Sequence, residues 1–392
     1  MRRYIAALCL LTTALAATAQ LSRYRADVQP SGFHFADTIG IEWEHGRAIV
    51  GVSADGRPYR FLLDTGASQG VVFEGSPLAA GPLAGHIVSH DAVGRSAVSP
   101  MVMLPPLRIG SMTYHGCCAT VQPRSVANSR IDGILGFDLV NSGLGLKIDV
   151  PNRRMVITDQ RTLFDREPGI RLKYRLNYHV PCITVTPFGR HRERVLVDTG
   201  SPSLFVMNKQ HLDDAVEKER RFDGLTLEGC SRGSHAMGHL GTEREDEVAF
   251  LLLDGLRLGD YTFSGVHSVT THGGSHIGAA LLPFGAMAFS PRRRVFLFQP
   301  RVAEQPCVVD NPQTEIAFVD HDGLAIVGLV WEQGVPYRQG FRQGDIVEQI
   351  DHRPVMSFAQ FAAWPFERGR SYTFTLRSRE GQRRDVSWIR LP

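Results

Sequence analysis

The chain has 392 residues, 43% of them hydrophobic and 21% charged, with a net charge of +3. That length allows two or three domains with proper cores, and the composition excludes a disordered chain. The charge is thinly spread, with Arg-rich patches such as "PRRRVF" offset by "TEREDE"; nothing forms the basic stripe of a nucleic-acid binder, and no nucleic-acid partner is expected.

The first segment, "MRRYIAALCLLTTALAATAQ", runs from a double Arg through a short apolar stretch to Ala17-Thr18-Ala19. This is the pattern of a cleavable secretory signal over residues 1–19. It is too short to span a bilayer, and no later segment is apolar enough to do so. The expectation is an exported protein, periplasmic or secreted, with no membrane span after signal removal. Loss of Cys9 with the signal leaves Cys117, Cys118, Cys182, Cys230 and Cys307, an odd number with no CxxC pair, so at least one thiol is free or bonded to another chain.

Gly (39) and Pro (22) are abundant, and long helical patterns are few, which favours β structure. Between residues 33 and 158, "AIVGVSADGRPYRFLLDTGASQGVVF" reads as two strands joined by a turn at Gly56-Arg57, a third strand following Asp64-Thr65-Gly66. A run of apolar residues that ends in Asp64 needs an explanation, because a buried carboxylate without a partner is costly. Further on, "LPPLRIGSMTYHGCCATV" carries a turn at Gly110, and "PNRRMVIT" closes the segment as a basic β-ribbon.

After a crossing linker, "DQRTLFDREPG", the pattern returns over 171–300. "CITVTPFGRHRERVLVDTGSPSLFVMN" has its turn at Gly189-Arg190 and delivers Asp198-Thr199-Gly200; "LDGLRLGDYTFSGVHSVT" turns at Gly259; "PRRRVFLF" ends the segment. A repeat of this length means two similarly folded lobes. Lobes packed about a pseudo-two-fold axis would bring Asp64 and Asp198 together. Two carboxylates at contact distance hold one shared proton, so that one serves as a base toward water while the other donates to a carbonyl oxygen. Thr65 and Thr199 are placed to hydrogen-bond across the axis, and Gly66 and Gly200 to allow close backbone approach. Hairpins over the cleft are expected around Gly94 and Gly238. His235 and His239 are four apart, but in a Gly-rich segment that reads as a solvated loop, so no metal is expected; no strand-to-helix phosphate motif or other cofactor signature occurs.

From about residue 314 the composition changes. "YRQGFRQGDIVEQIDHRPV", with Gly340, Gly344 and Asp345, belongs to a separate module over 314–392.

These motifs carry a resemblance. The paired Asp-Thr-Gly stretches, with "IDGILGFDLV" at 131–140, resemble the aspartic peptidases of the pepsin and retropepsin clan, most closely retropepsin-like lobes in tandem. The tail resembles the PDZ domains of bacterial exported proteases. The implied fold class is mainly β: a bilobal, pseudo-two-fold aspartic peptidase-like body with a small α+β PDZ-like domain. The resemblance implies a catalytic dyad of Asp64 and Asp198, an inter-strand clasp of Thr65 and Thr199, an aspartic endopeptidase activity on a polypeptide substrate, and a peptide or protein ligand at the loop Gly323, Leu324, Ala325. A second reading keeps the two lobes as a catalytically inactive peptide-binding protein. Two departures stand out. In lobe two, "IGAALLPFGAMAF" puts Leu282 where lobe one has Gly136, so the second site loop is expected to differ. Ala67 stands opposite Ser201, whose hydroxyl is expected to donate to Asp198; its absence in lobe one is expected to raise the dyad's apparent pKa.

Overall fold

A computed structural model describes residues 27–389 except 92, 126, 127, 219–221, 239 and 368. The signal-peptide expectation for residues 1–19 therefore lies outside the described residues, as does His239.

The repeat seen in the sequence is a repeat of topology. In lobe one, strands run in the order Arg47–Ala54, Arg57–Leu63, Gly133–Leu135, Gly70–Phe73, Cys118–Gln122, Ser96–Met103, Leu83–His90. Lobe two repeats this order with Val180–Val185, Glu193–Asp198, His276–Gly278, Phe205–Asn208, Val266–Thr271, Asp246–Leu253 and Leu225–Gly233. The directions match as well. In each lobe the strand ending at the Asp-Thr-Gly loop pairs in parallel with the short strand beside it, which then pairs antiparallel with the strand leaving the loop. The expected turns fall in place. Asp55 and Gly56 have φ of +50° and +75°, both left-handed as a two-residue hairpin of this kind requires, and Gly110 (+62°) and Gly259 (+63°) occupy equivalent hairpins.

A six-stranded antiparallel sheet joins the lobes. Its order is Ile170–Lys173, Val295–Pro300, Gly285–Ser290, Gly145–Asp149, Arg154–Thr158, Ala36–Glu44, three strands from each lobe. The basic ribbons of the sequence supply its turns. At its centre Lys147 faces Ala288 in register, so the pseudo-two-fold axis passes between them. Phe137, Tyr174 and Phe289 meet edge-to-face beneath it at centroid distances of 5.0–5.9 Å, an arrangement that adds to the stabilisation from burial. The linker is not a free tether: Phe164 is buried against Ala288 and Leu297 of this sheet.

The lobe limits are wider than the composition implied. Gln29–Pro30 pairs with Tyr114 and His115, and Cys307–Val308 pairs with Phe263 and Ser264. The five cysteines among the described residues are free thiols, four buried and Cys230 exposed.

The C-terminal domain is a five-stranded antiparallel path, Ile316–His321, Leu324–Val330, Ile346–Ile350, Ser371–Arg377, Arg383–Ile389, with short helices Val335–Gln339 and Phe358–Ala362. Phe341, Tyr372 and Phe374 form its buried centre. Gly340, left-handed at φ +109°, caps the first helix. The Asp345 carboxylate accepts the Arg342 N–H at 2.7 Å and pairs with Arg384, which explains the Gly-x-x-x-Gly-Asp spacing. This domain packs against lobe two. Leu329 is buried with Val248, Phe250 and Val269, and the Trp331 indole donates to the Glu228 carbonyl at 3.2 Å.

Candidate active site

Asp64 and Asp198 end equivalent strands, and the parallel pairing beside them carries the chain into equivalent loops. In each loop one carboxylate oxygen accepts two backbone N–H groups: Asp64 from Gly66 (2.7 Å) and Ala67 (3.2 Å), Asp198 from Gly200 (2.9 Å) and Ser201 (3.2 Å). The two loops then interlock. The Thr65 N–H donates to Thr199 Oγ1 at 3.0 Å and the Thr199 N–H to Thr65 Oγ1 at 3.2 Å. Each hydroxyl in turn donates into the opposite lobe, Thr65 to the Val197 carbonyl (2.6 Å) and Thr199 to the Leu63 carbonyl (2.8 Å). Both threonines are fully buried, so the clasp satisfies four groups that would otherwise be stranded.

The glycines are required for the same reason. A Cβ built on Gly66 would lie 2.6 Å from Asp198 Cγ, and one on Gly200 would lie 2.6 Å from Asp64 Cγ. Each lobe's loop is thus packed directly on the other lobe's carboxylate, and the two side chains hydrogen-bond to each other. Burial, followed by the charge of Asp198, holds Asp64 well above the usual carboxylate range; burial also raises Asp198, with the Asp64 hydrogen bond and the loop N–H groups acting the other way. The two carboxyls therefore titrate as a pair that shares one proton, raised above the usual carboxylate range by burial.

Two sequence expectations are corrected here. The lobe-two counterpart of Gly136 is Gly278, not Leu282. Leu135 lies opposite Leu63 and Ile277 opposite Val197, so the residues that follow, Gly136 and Gly278, share one position. A Cβ on Gly136 would strike the Gln69 backbone, and one on Gly278 the Ser201 carbonyl. The N–H after each glycine makes the same bond, Phe137 to the Ala67 carbonyl (2.8 Å) and Ala279 to the Ser201 carbonyl (2.7 Å). Leu282 is simply buried core in the turn that follows. The second site loop keeps the geometry of the first.

Ser201 also departs from expectation. Its hydroxyl meets His276 Nε2 at 3.0 Å, while His276 Nδ1 faces the Gly274 carbonyl at 3.1 Å. With Nδ1 donating, Nε2 is left to accept, so the Ser201 hydroxyl is turned toward the histidine. Each aspartate therefore accepts two backbone N–H groups and no hydroxyl from position 67 or 201, and the raised dyad follows from burial instead of a hydroxyl missing at Ala67. His276 holds the position of Ile134 in lobe one, a polar substitution that the sequence pattern did not single out.

The hairpin tips around Gly94 and Gly238 meet. One oxygen of Asp91 closes the lobe-one tip by accepting from Val93 (3.2 Å) and Arg95 (2.8 Å), and the other accepts the Leu240 N–H of lobe two at 3.2 Å. Contact between equivalent hairpins of two related lobes lies near their pseudo-two-fold axis, which also passes the dyad and Lys147/Ala288. His235 is not in a solvated loop: it is only partly exposed at the base of the lobe-two tip, with Nδ1 3.5 Å from the buried Glu243 carboxylate. Among the described residues no group of three or more His, Cys, Asp or Glu side chains is placed to hold a metal ion, and no helix is long and apolar enough to cross a membrane.

The loop expected to hold a peptide carboxylate, Gly323-Leu324-Ala325, is instead a closed hairpin turn. Asp322 and Gly323 are left-handed (φ +52° and +81°), the Gly323 N–H is taken by the Asp320 carboxylate at 2.8 Å, and Ala325 is buried. The strand before it, Ile316–His321, is one edge of this sheet, and Thr242 and Met237 of lobe two meet it at Asp320.

Residues 50–139 match the model of a family described as aspartyl protease, a span that holds Asp64, the lobe-one hairpin and Gly136. No curated protein matches the chain. Among solved structures the chain is similar to basic 7S globulin from soybean (10% identity, 67% of this chain and 94% of that one, TM-score 0.42). It is also similar to an aspartic proteinase from Irpex lacteus (12% identity, 68% and 97%, TM-score 0.44).

Proposed function

We propose that this chain is an exported aspartic endopeptidase in which Asp64 and Asp198 share one proton and activate a water molecule against a peptide carbonyl. The observation that carries the reading is the cross-packing at the axis, where each loop glycine lies on the other lobe's carboxylate. Such a pair is built to hold one proton between two acids, one carboxylate acting as base toward water while the other donates to the carbonyl oxygen. The family match in lobe one supports it, and lobe two repeats that lobe's topology strand for strand. Under this reading the hairpin tips close over an extended polypeptide, and Asp91 latches them. Export to the periplasm or beyond rests on the sequence pattern of residues 1–19, and assignment of the C-terminal domain as PDZ-like on Gly340, Gly344 and Asp345.

The test is cleavage of an unfolded protein across pH 3 to 8 by the mature chain and by Asp64→Asn and Asp198→Asn. The parent is expected to cut, with activity persisting into weakly acidic or neutral pH because the raised dyad keeps its shared proton there, and each variant is expected to stop. An optimum near pH 2 contradicts the raised dyad. Peptide binding by all three proteins without cleavage by any would make the lobes a binding scaffold.

A further inference from the structure

The third position after each site aspartate differs between the lobes, Ala67 in one and Ser201 in the other, so only Asp198 has a hydroxyl close at hand. That hydroxyl is drawn away by a residue one strand over. His276 stands beside Leu196, in the short strand that pairs in parallel with the one ending at Asp198, where lobe one has Ile134. Its Nδ1 donates to the Gly274 carbonyl at 3.1 Å, which leaves Nε2 as an acceptor 3.0 Å from the Ser201 hydroxyl. The Ser203 N–H also reaches that hydroxyl, at 3.4 Å, while the Ser201 N–H lies on Asp198 at 3.2 Å. Ser201 is thus divided: its main chain serves the aspartate and its side chain the histidine.

Without the ring the hydroxyl has one strong acceptor to turn to. Its own residue already reaches the Asp198 carboxylate through the main chain, so rotation about a single side-chain bond moves the hydroxyl toward the same group. A hydroxyl bonded to an ionised carboxylate stabilises the charge, and such bonds are about twice as strong as those between neutral groups. It would ease ionisation at Asp198 and set that residue apart from Asp64, whose loop offers only the methyl of Ala67. The ring prevents this where it is neutral. Burial holds His276 below the ordinary histidine value, against the pull of the Gly274 carbonyl and the Glu243 charge, so at neutral pH Nε2 accepts. The titratable and charged groups around the pair are Glu243, His235 and His272 on the side of the histidine, and Asp64 with Arg47 on the side of the aspartate. Among the described residues no side chain other than His276 meets the Ser201 hydroxyl.

We propose that His276 is a positioning residue for the dyad: by holding the Ser201 hydroxyl away from Asp198 it keeps the two carboxyls in matched surroundings and the shared proton bound toward neutral pH. The consequence for hydrolysis rests on the function proposed above; the effect on proton binding does not.

The experiment compares the mature chain with four variants. His276→Ile installs the residue of lobe one, His276→Gln keeps an uncharged acceptor, Ser201→Ala removes the hydroxyl, and His276→Ile/Ser201→Ala removes both partners. Proton loss from the dyad is followed by NMR of carboxyl-labelled aspartate, its signals assigned with Asp64→Asn and Asp198→Asn, beside hydrolysis of an unfolded protein across the same pH range. In His276→Ile the pKa for loss of the shared proton is expected to fall by about one unit, a tenfold change in the ionisation constant, and the basic limb of hydrolysis to move with it. His276→Gln, Ser201→Ala and the double variant are expected to hold the parent's value. An unshifted His276→Ile overturns the inference. So does a shift that survives in the double variant, because the ring and not the hydroxyl would then be its source. If His276→Ile does not fold, Ser201→Ala decides: an unchanged value supports the diversion, and a rise of about one unit means that the hydroxyl was already on Asp198 and overturns it. Carboxyl shifts as described with an unmoved basic limb in an active enzyme overturn the link to hydrolysis. The same shifts in a chain that never cleaves refute the proposed hydrolysis and leave the role of His276 standing.

Discussion

Replacing Gly66 by Ala is the sharpest probe of the interlocked site. The new Cβ would lie 2.6 Å from Asp198 Cγ, whereas carbon atoms in contact prefer about 3.5–4.0 Å, so roughly 1 Å must be found. Neither loop can give it freely. Asp198 is held by the Gly200 and Ser201 N–H groups, and the Gly66 N–H is itself bonded to Asp64. Gly66 does not sit in the left-handed region, so Ala carries no backbone strain there, and the whole effect comes from the overlap. A displacement of this size at the reacting groups is expected to lower kcat about 100-fold. Overpacking of about 1–3 kcal/mol should lower the thermal midpoint by roughly 2–4 °C per kcal/mol. Gly200→Ala should behave alike, since its Cβ meets Asp64 Cγ at the same distance. Gly51→Ala is the control, a strand glycine with no atom within 4 Å of its Cβ, and it should be neutral or slightly stabilising. The assay is hydrolysis of an unfolded protein beside thermal unfolding of each variant. If Gly66→Ala matches Gly51→Ala in both, the lobes do not meet at these carboxylates and the site as described is wrong.

Gly278→Ala should disrupt the second site loop and abolish hydrolysis, while Leu282→Ala should cost about 2–5 kcal/mol of stability but leave the residual folded protein active; measuring activity per folded molecule separates them. Thr199→Val keeps the volume but strands the Thr65 N–H and the Leu63 carbonyl, and should cost about 1–3 kcal/mol for each group left unpaired, read by denaturant titration. Asp138, buried behind lobe one's site loop, is pushed up to about 7 by burial against the pull of its N–H partners. A carboxyl raised on folding stabilises below its unfolded value and loses that contribution as pH rises through its folded value. Stability should therefore fall from about pH 4 to pH 7 by up to about 1.4 kcal/mol per unit from this group, and Asp138→Asn should flatten that slope in unfolding titrations across the range.

What could be read from the sequence was what is local and repeated. An apolar run ending in Asp-Thr-Gly states both the strand and the loop that follows, and two copies with matched turns at Gly110 and Gly259 state two lobes. The second loop was misaligned because its signal is weaker. His276-Ile277-Gly278 puts a polar residue where Ile134 stands, and the apolar run beyond it imitates the missing pattern; counting register from the strand beside Asp198 recovers Gly278. The turn at Asp322-Gly323 carried its own warning, since Asp-Gly between alternating apolar residues is a strong hairpin signal.

The remaining features are pairings between distant segments, and no local pattern encodes them. Asp91 reads as an ordinary turn residue, and one of its oxygens does only that; the other reaches Leu240, 149 residues away, and joins the tips. Met237 and Thr242 look like loop filler, yet they meet a strand that begins almost eighty residues later. The composition change near residue 314 implied an independent module, but Leu329 and Trp331 are buried or packed against lobe two, so the third domain shares a core with the second. That shared core makes the position of the lobe-two hairpin a property of all three domains. The sequence marked the two hairpins by their turn residues, but their meeting through Asp91 and Leu240 and the packing of lobe two on the C-terminal domain are set by contacts between distant segments.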